Sequence, residues 1–154
     1  MAEIPTDIKT LINLFIEHKV RFAVCGGHAV AHHGYPRMTM DIDLLIDPTK
    51  ENAKRVMAAL DQFGFGNAGI PEEAFTKEKT AITLGQQPNQ IDLLTSMSSI
   101  STSEIIKNSV SGKLAEIKLK FVSRGDLMEA KRQAGRPKDL ADLDELEKTG
   151  NQYK

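Results

Sequence analysis

Asp41 and Asp43 flank a single isoleucine in the run Asp41-Ile42-Asp43-Leu44-Leu45-Ile46, so two carboxylates stand two apart in an apolar stretch. On a strand, residues i and i+2 share a face, roughly 6.6 Å apart along it. Ile42 and Leu44 then turn the other way, toward a core. Two carboxylates beside a core repel each other and lose hydration unless something positive neutralises them. A pair of magnesium ions would do so, with manganese as a possible substitute. Two-metal phosphoryl-transfer sites hold their ions roughly 3.5–4 Å apart, a span that adjacent carboxylates can bridge. Asp92, in Gln90-Ile91-Asp92-Leu93-Leu94, is a third acid in a similar apolar setting. On a neighbouring strand it would complete the metal shell, and it could take the proton from an acceptor hydroxyl. Each acid also has a plain structural reading: Asp41 capping a turn after Thr39, and Asp92 following a tight hairpin.

Gly26-Gly27 lies between a strand and a helix, with Gly27 fourteen positions before Asp41. Glycine there lets the backbone approach a phosphate, and a helix N-terminus offers free N–H groups to it. A glycine pair alone marks a turn. A pair that ends a strand, opens a helix and precedes Asp-x-Asp is more specific.

The elements that must position these residues are legible in outline. Residues 6–18 carry the apolar stripe of a helix (Ile8, Leu11, Ile12, Leu14, Phe15, Ile16), which Thr6 or Asp7 could cap. Val20 to Cys25 reads as a strand broken by Gly26-Gly27, and Ala29 to His33 as a short helix ending at Gly34. Asp41 to Ile46 is a second strand, and Pro48-Thr49 opens a helix through Phe63. The segment 64–80 is turn-rich. Thr80–Leu84 and Gln90–Leu94 read as two strands joined by Gly85–Asn89, and Ser103–Asn108 as a helical turn. Ala115–Val122 alternates as a half-buried strand, and helices follow at 124–134 and 137–149, split by Gly135-Arg136-Pro137. The expected fold is α+β: one domain over 1–154, a mixed β-sheet flanked by helices, with a helical C-terminus.

Composition bounds the function. Hydrophobic residues make up 40% of the 154, too many for a disordered chain. No apolar run is long enough to span a bilayer, and Met1-Ala2-Glu3-Ile4-Pro5 lacks the pattern of a signal peptide. A cytoplasmic protein with no membrane partner is expected. Cys25 is the single cysteine, which excludes an internal disulfide and a cysteine-rich zinc site, and it reads as a small buried apolar residue. The net charge is −1, yet Lys107 to Lys138 holds nine basic residues against three acidic ones. Such a run is either a solvated face or a surface that meets phosphates.

Together, Gly26-Gly27, Asp41-Ile42-Asp43 and Asp92 resemble the nucleotidyltransferase superfamily of the DNA polymerase β type. Its pattern is hydrophobic-Gly-Gly/Ser, then Asp-hydrophobic-Asp/Glu, then a third strand-borne acid. The run GGHAVAHHGYPRMTMDIDLLI is similar to the abortive-infection and toxin–antitoxin branch, as is KRQAGRPKDLADLDEL, a lysine followed by Arg-x-Lys-Asp-x-x-Asp. The resemblance spans about residues 8–146. It implies the nucleotidyltransferase fold and transfer of a nucleoside monophosphate from a nucleoside triphosphate, ATP among the candidates, to an acceptor hydroxyl. By this resemblance Gly26 and Gly27 cradle the triphosphate, with His28 near it. Asp41 and Asp43 ligate both metals, and Asp92 ligates one and helps deprotonate the acceptor. Lys131 reaches the triphosphate, and Asp142 or Asp139 orients that lysine or the acceptor. Arg37 is a further phosphate contact. The acceptor is RNA, a protein side chain or a small molecule, the basic segment favouring RNA, and a toxin with an antitoxin or other partner protein is one implied role. The chain departs from the pattern in having Gly27 where many relatives have Ser, and in having only two C-terminal helices to meet the acceptor.

Other chemistries fit less well. Haloacid-dehalogenase-type phosphatases need an apolar strand before the first Asp, where this chain has Arg37-Met38-Thr39-Met40. No Gly-x-x-x-x-Gly-Lys-Ser/Thr string occurs. His28 and His32, four apart, could share a metal, but packing of His32 and His33 under the sheet is the simpler reading. Lys131, Arg136, Asp139 and Asp142 at helical spacing are also compatible with surface pairs worth about 0.2–0.5 kcal/mol each. The rival to an enzyme is a non-catalytic module that keeps the fold and binds nucleotide or a partner.

Overall fold

The protein was analysed as a computed structural model that describes residues 5–35, 41–86 and 89–152, with side chains as far as 149. Helix α1 (Thr6–Glu17) buries Ile8, Leu11, Ile12 and Phe15, the i, i+3, i+4, i+7 stripe of an amphipathic helix. Its N-cap is Pro5, with no side-chain cap bond. Thr6, expected as a cap, lies inside the helix, where its carbonyl accepts from the Thr10 hydroxyl.

Strand β1 (Phe22–Cys25) starts two residues later than expected, and helix α2 (Gly26–His32) begins at the glycine pair rather than after it. Strand β2 (Ile42–Ile46) follows, with Asp41 just before it. Helix α3 (Lys50–Leu60) is capped by the Thr49 hydroxyl, which accepts from the Asn52 N–H. The helix was expected to run through Phe63. It widens instead into a π-turn at Asp61–Phe65, where Gly64 takes φ +111 and ends the α-helical path.

The turn-rich stretch contains one short 3₁₀ helix, Glu72–Thr76, which buries Phe75. Strands β3 (Ala81–Leu84) and β4 (Ile91–Leu94) and helix α4 (Thr102–Lys107) come next. Strand β5 (Val110–Leu114) was not anticipated, and β6 covers Ile117–Phe121. Ala115-Glu116, expected to begin a strand, form the turn between them, with φ of +47 and +72. Positive φ at both central residues is what a tight two-residue hairpin demands. Helix α5 (Arg124–Ala134) ends on Gly135 in the left-handed conformation, and α6 (Pro137–Gln152) runs past its expected end.

The fold is α+β. Its six strands form one mixed sheet in the order β3-β4-β2-β1-β6-β5. The β1/β2, β3/β4 and β5/β6 pairs are antiparallel; β2/β4 and β1/β6 are parallel. The central strand β2 is buried at Ile42, Leu44, Leu45 and Ile46, leaving Asp43 as its one partly open residue. The far ends of β1 and β2 are fastened by Asn52. Its side chain accepts from the Arg21 N–H at 2.7 Å and donates to the Arg21 and Asp47 carbonyls at 3.0 and 2.9 Å. Asp47 is itself paired with Arg21 at 3.0 Å and accepts from the Ser103 hydroxyl. This lock fixes the register of the two strands at the end opposite Asp43. No helix among the described residues is long and apolar enough to cross a membrane.

Candidate active site

The register places Cys25 of β1 opposite Asp43 of β2, Asp43 beside Asp92 of β4, and Asp92 opposite Thr83 of β3. Cross-strand partners point to the same face. The four side chains therefore form one row across four strands, with the two acids at its centre. The sequence-predicted Asp43 and Asp92 are thus brought together, and they share a side-chain hydrogen bond. Asp41 sits immediately before β2 and adds its charge to Asp43.

Crowding sets the protonation of this pair. Burial, the hydrogen bond and charge of Asp92, and the charge of Asp41 push the Asp43 carboxyl up to about 7, with Lys131 pulling the other way. The Asp43 carboxyl therefore keeps its proton well into the range where a lone carboxyl has lost its own. Asp92 is held in turn by its neighbours: its Oδ1 accepts from the Thr83 hydroxyl at 2.7 Å and from the Gln90 side-chain amide at 3.1 Å. Thr83 and Gln90 were missed in the sequence. Gln90 stands at i−2 from Asp92, and that same-face spacing is the signal that could have exposed it.

Gly26 makes room for Asp43. A β-carbon built there would stand 2.8 Å from Cγ of Asp43 and overlap its Oδ2. Gly26 also takes φ +67, a left-handed conformation that side chains resist. Two independent constraints therefore demand glycine. Gly27 follows within α2.

Lys131 reaches the same neighbourhood from α5. It bears electrostatically on both Asp43 and Cys25. Its ammonium lies 3.0 Å from Oδ2 of Asp142 and 3.4 Å from Oδ1 of Asp139 on α6. Both acids are buried, at 4% and 1% exposure, so the surface-pair reading of this cluster does not hold. Asp139 also accepts from the Arg136 N–H at 3.3 Å and from its guanidinium, which lowers its pKa, against the opposing effect of burial. With Pro137 opening α6, Asp139 stands at the third helical position and reaches back to the N-cap amide, half of a capping box. The α5–α6 hairpin is thus pinned by the residues that orient Lys131.

Other expected residues are distributed differently. Arg37 lies outside the described residues. His28 is buried and its pKa is lowered by that burial; it lines a cavity of about 280 Å³ with His32, Phe121 and Lys113. His32 stacks on Phe121 at 4.2 Å, and His33 Nε2 lies 2.8 Å from the Val122 carbonyl. Both pack against the sheet rather than forming a metal pair with His28. Cys25 is buried, and burial followed by the charge of Asp43 drives its thiol far above the ordinary range, so it is unreactive as a nucleophile.

A metal can be tested against this arrangement. Among the described residues, no three or more His, Cys, Asp or Glu side chains already converge as a ready cation shell. The donor chemistry nevertheless fits. Two strand-borne carboxylates lie side by side and Asp41 adds its charge to Asp43, a crowding of negative charge that a divalent cation would offset.

No protein-family model matches the chain, and no curated protein matches it.

Proposed function

We propose that the protein is a metal-dependent nucleotidyltransferase with the nucleotidyltransferase fold. It would move a nucleoside monophosphate from a nucleoside triphosphate to an acceptor hydroxyl. The observation that carries this reading is the row of Asp43 beside Asp92, cleared by Gly26 and faced by Lys131. An acid pair with a glycine-lined approach and an anchored ammonium suits a polyanionic substrate that arrives with its cations.

Asp43 and Asp92, with Asp41, would hold two magnesium ions, or manganese. Bound there, the ions would offset phosphate charge and make the acceptor hydroxyl easier to deprotonate. The rest falls to the chain. Asp92, which accepts from Thr83 and Gln90, would receive the acceptor proton. The acceptor oxygen bonds to the α-phosphorus, the bond from that phosphorus to its bridging oxygen breaks, and pyrophosphate leaves. Lys131 would balance charge on the leaving phosphates, with Asp139 and Asp142 limiting its rotamers. The Gly26–Gly27 backbone at the start of α2 would approach the triphosphate. The acceptor we favour is RNA. A toxin role, an antitoxin partner and a cytoplasmic location accompany this proposal.

The test is to incubate the protein with each labelled nucleoside triphosphate, magnesium, and total RNA or candidate proteins. Label transfer that is lost in Asp43→Ala supports the reading. No transfer together with no metal-dependent nucleotide binding sinks it, and transfer that survives Asp43→Ala overturns the site.

A further inference from the structure

Among the described residues, β5 is an outer strand of the sheet, paired only with β6. Its two faces differ sharply. In the hairpin register Ser111 stands opposite Lys120 and Lys113 opposite Lys118, so three lysines share one face. A hydrogen bond of 2.9 Å from the Lys120 ammonium to the Ser111 hydroxyl confirms that these side chains lie together. Like charges directly opposite one another are unfavourable. Gly112 and Leu119, from the other face of the hairpin, border an open cavity of about 440 Å³ that Ile16, Val20 and Phe22 continue and that Ser111 and the three lysines also line. Among the described residues no acidic one lines that cavity. Ile16 is 44% exposed and Val110 38%, both large apolar side chains left to water at this edge.

A lysine on an outer strand commonly serves only to prevent edge-to-edge aggregation. That explains Lys113. It does not explain Lys118 and Lys120 on the inner strand, nor the hollow that runs beside them. In a two-residue hairpin the closing pair, here Leu114 and Ile117, is hydrogen-bonded, and pairs alternate from there. Ser111 and Lys113 therefore turn their backbone N–H and C=O groups outward, available to another strand.

We propose that this edge accepts an extended segment of a partner protein, added as a seventh strand, in which acidic and apolar residues alternate. The acidic side chains would meet Lys113, Lys118 and Lys120. The apolar ones would enter the hollow bordered by Ile16, Phe22 and Leu119. An antiparallel second copy of β5 would extend the same lysine-bearing face and add like charge to it, so the partner is a different, acidic chain. Backbone pairing supplies affinity and the alternating pockets supply selectivity. The proposal does not depend on nucleotide transfer.

The test uses a fluorescein-labelled peptide of alternating Glu and Val, long enough to span β5, against a block-ordered peptide of the same composition. Fluorescence anisotropy is expected to show binding of the alternating peptide only, weakened by salt. Lys113→Glu/Lys118→Glu should reduce that affinity about tenfold or more and create affinity for an alternating Lys and Val peptide. Ile16→Asp, on α1 rather than on the hairpin, should weaken binding independently. Amide exchange at Ser111 and Lys113 should slow in the complex. Equal binding of the two peptide orders, unchanged exchange at those amides, or equal competition by an oligouridylate of matched charge would each overturn the proposal, the last by identifying a nucleic-acid surface.

Discussion

The backbone of Gly26 and the carboxylate of Asp43 occupy adjoining space so closely that no β-carbon fits between them. Gly26 opens α2 directly after β1, and it meets Asp43 because Cys25, just before it, pairs with Asp43 across β1 and β2. The glycine is therefore a consequence of the acid's position. It also leaves the start of α2 directly beside Asp43.

Gly26→Ala should accordingly cost stability twice over, through φ +67 and through overlap with Asp43. We expect a loss of roughly 1–3 kcal/mol, measured by chemical denaturation. The collision can be separated from the backbone strain. In Gly26→Ala/Asp43→Ala the overlap with the carboxylate disappears, leaving a 3.0 Å approach to the remaining β-carbon, while the strain stays, so the double variant should be more stable than additivity of the two single changes predicts. Strict additivity would show that the two residues do not contend for space.

How far this site was legible in the sequence depends on what each residue answers to. Asp43 and Asp92 stood out because a charge inside an apolar strand is costly, and the expected strands and their shared face are present. That the two stand side by side was not legible: it requires β2 and β4 to pair in parallel, a non-local choice fixed by the order of the whole sheet. Strand β5 was missed because Val110-Ser-Gly-Lys-Leu is short and centred on a glycine, so its alternation rests on two apolar residues alone. The hairpin turn was missed because Ala115-Glu116 replaces the Asn-Gly type of signal that marks positive φ. Asp139 and Asp142 looked like a surface pattern, since nothing local to α6 reveals that α5 covers them.

The raised pKa of Asp43 makes stability depend on pH in a definite direction. Its folded value of about 7 lies above the ordinary 3.8, so the folded chain binds more protons between those values than the unfolded one. The full contribution is present below about pH 4 and is lost as pH rises toward and through 7. In EDTA, the wild type should lose on the order of 2 kcal/mol across this window relative to Asp43→Asn, after allowing for solvent at a partly open site. Urea denaturation of both proteins at a series of pH values reads the difference. A gap that stays flat from pH 4 to 7.5 would show that Asp43 is not held protonated by its neighbours.

Magnesium should reverse that loss. A cation bound only by the folded state, at about ten times its dissociation constant, adds roughly 1.4 kcal/mol. For a chain of this size that corresponds to about 3–6 °C in melting temperature. The rise should be greater at pH 8 than at pH 6, because protons compete for the same carboxylates. It should vanish in Asp43→Asn/Asp92→Asn. A thermal scan with magnesium against sodium chloride of equal ionic strength tests this, and an equal rise in the double variant would place the cation elsewhere.

Lys131 is held by two buried acids, so its removal affects folding as well as any phosphate chemistry. Lys131→Met deprives Asp142 and Asp139 of an ammonium at 3.0 and 3.4 Å. Asp139 keeps Arg136, whereas Asp142 is left in a buried position without that cation. Removing one member of such a pair is costly, here roughly 2–4 kcal/mol. Lys131→Met/Asp142→Asn removes the stranded charge and should recover more than half of the loss. Label transfer should fail in both variants, because the role proposed for the ammonium is charge balance on the leaving phosphates. A double variant that regains stability yet remains inactive separates the two functions of the lysine. One that regains both would remove Lys131 from the chemistry and leave it as a structural clamp between α5 and α6.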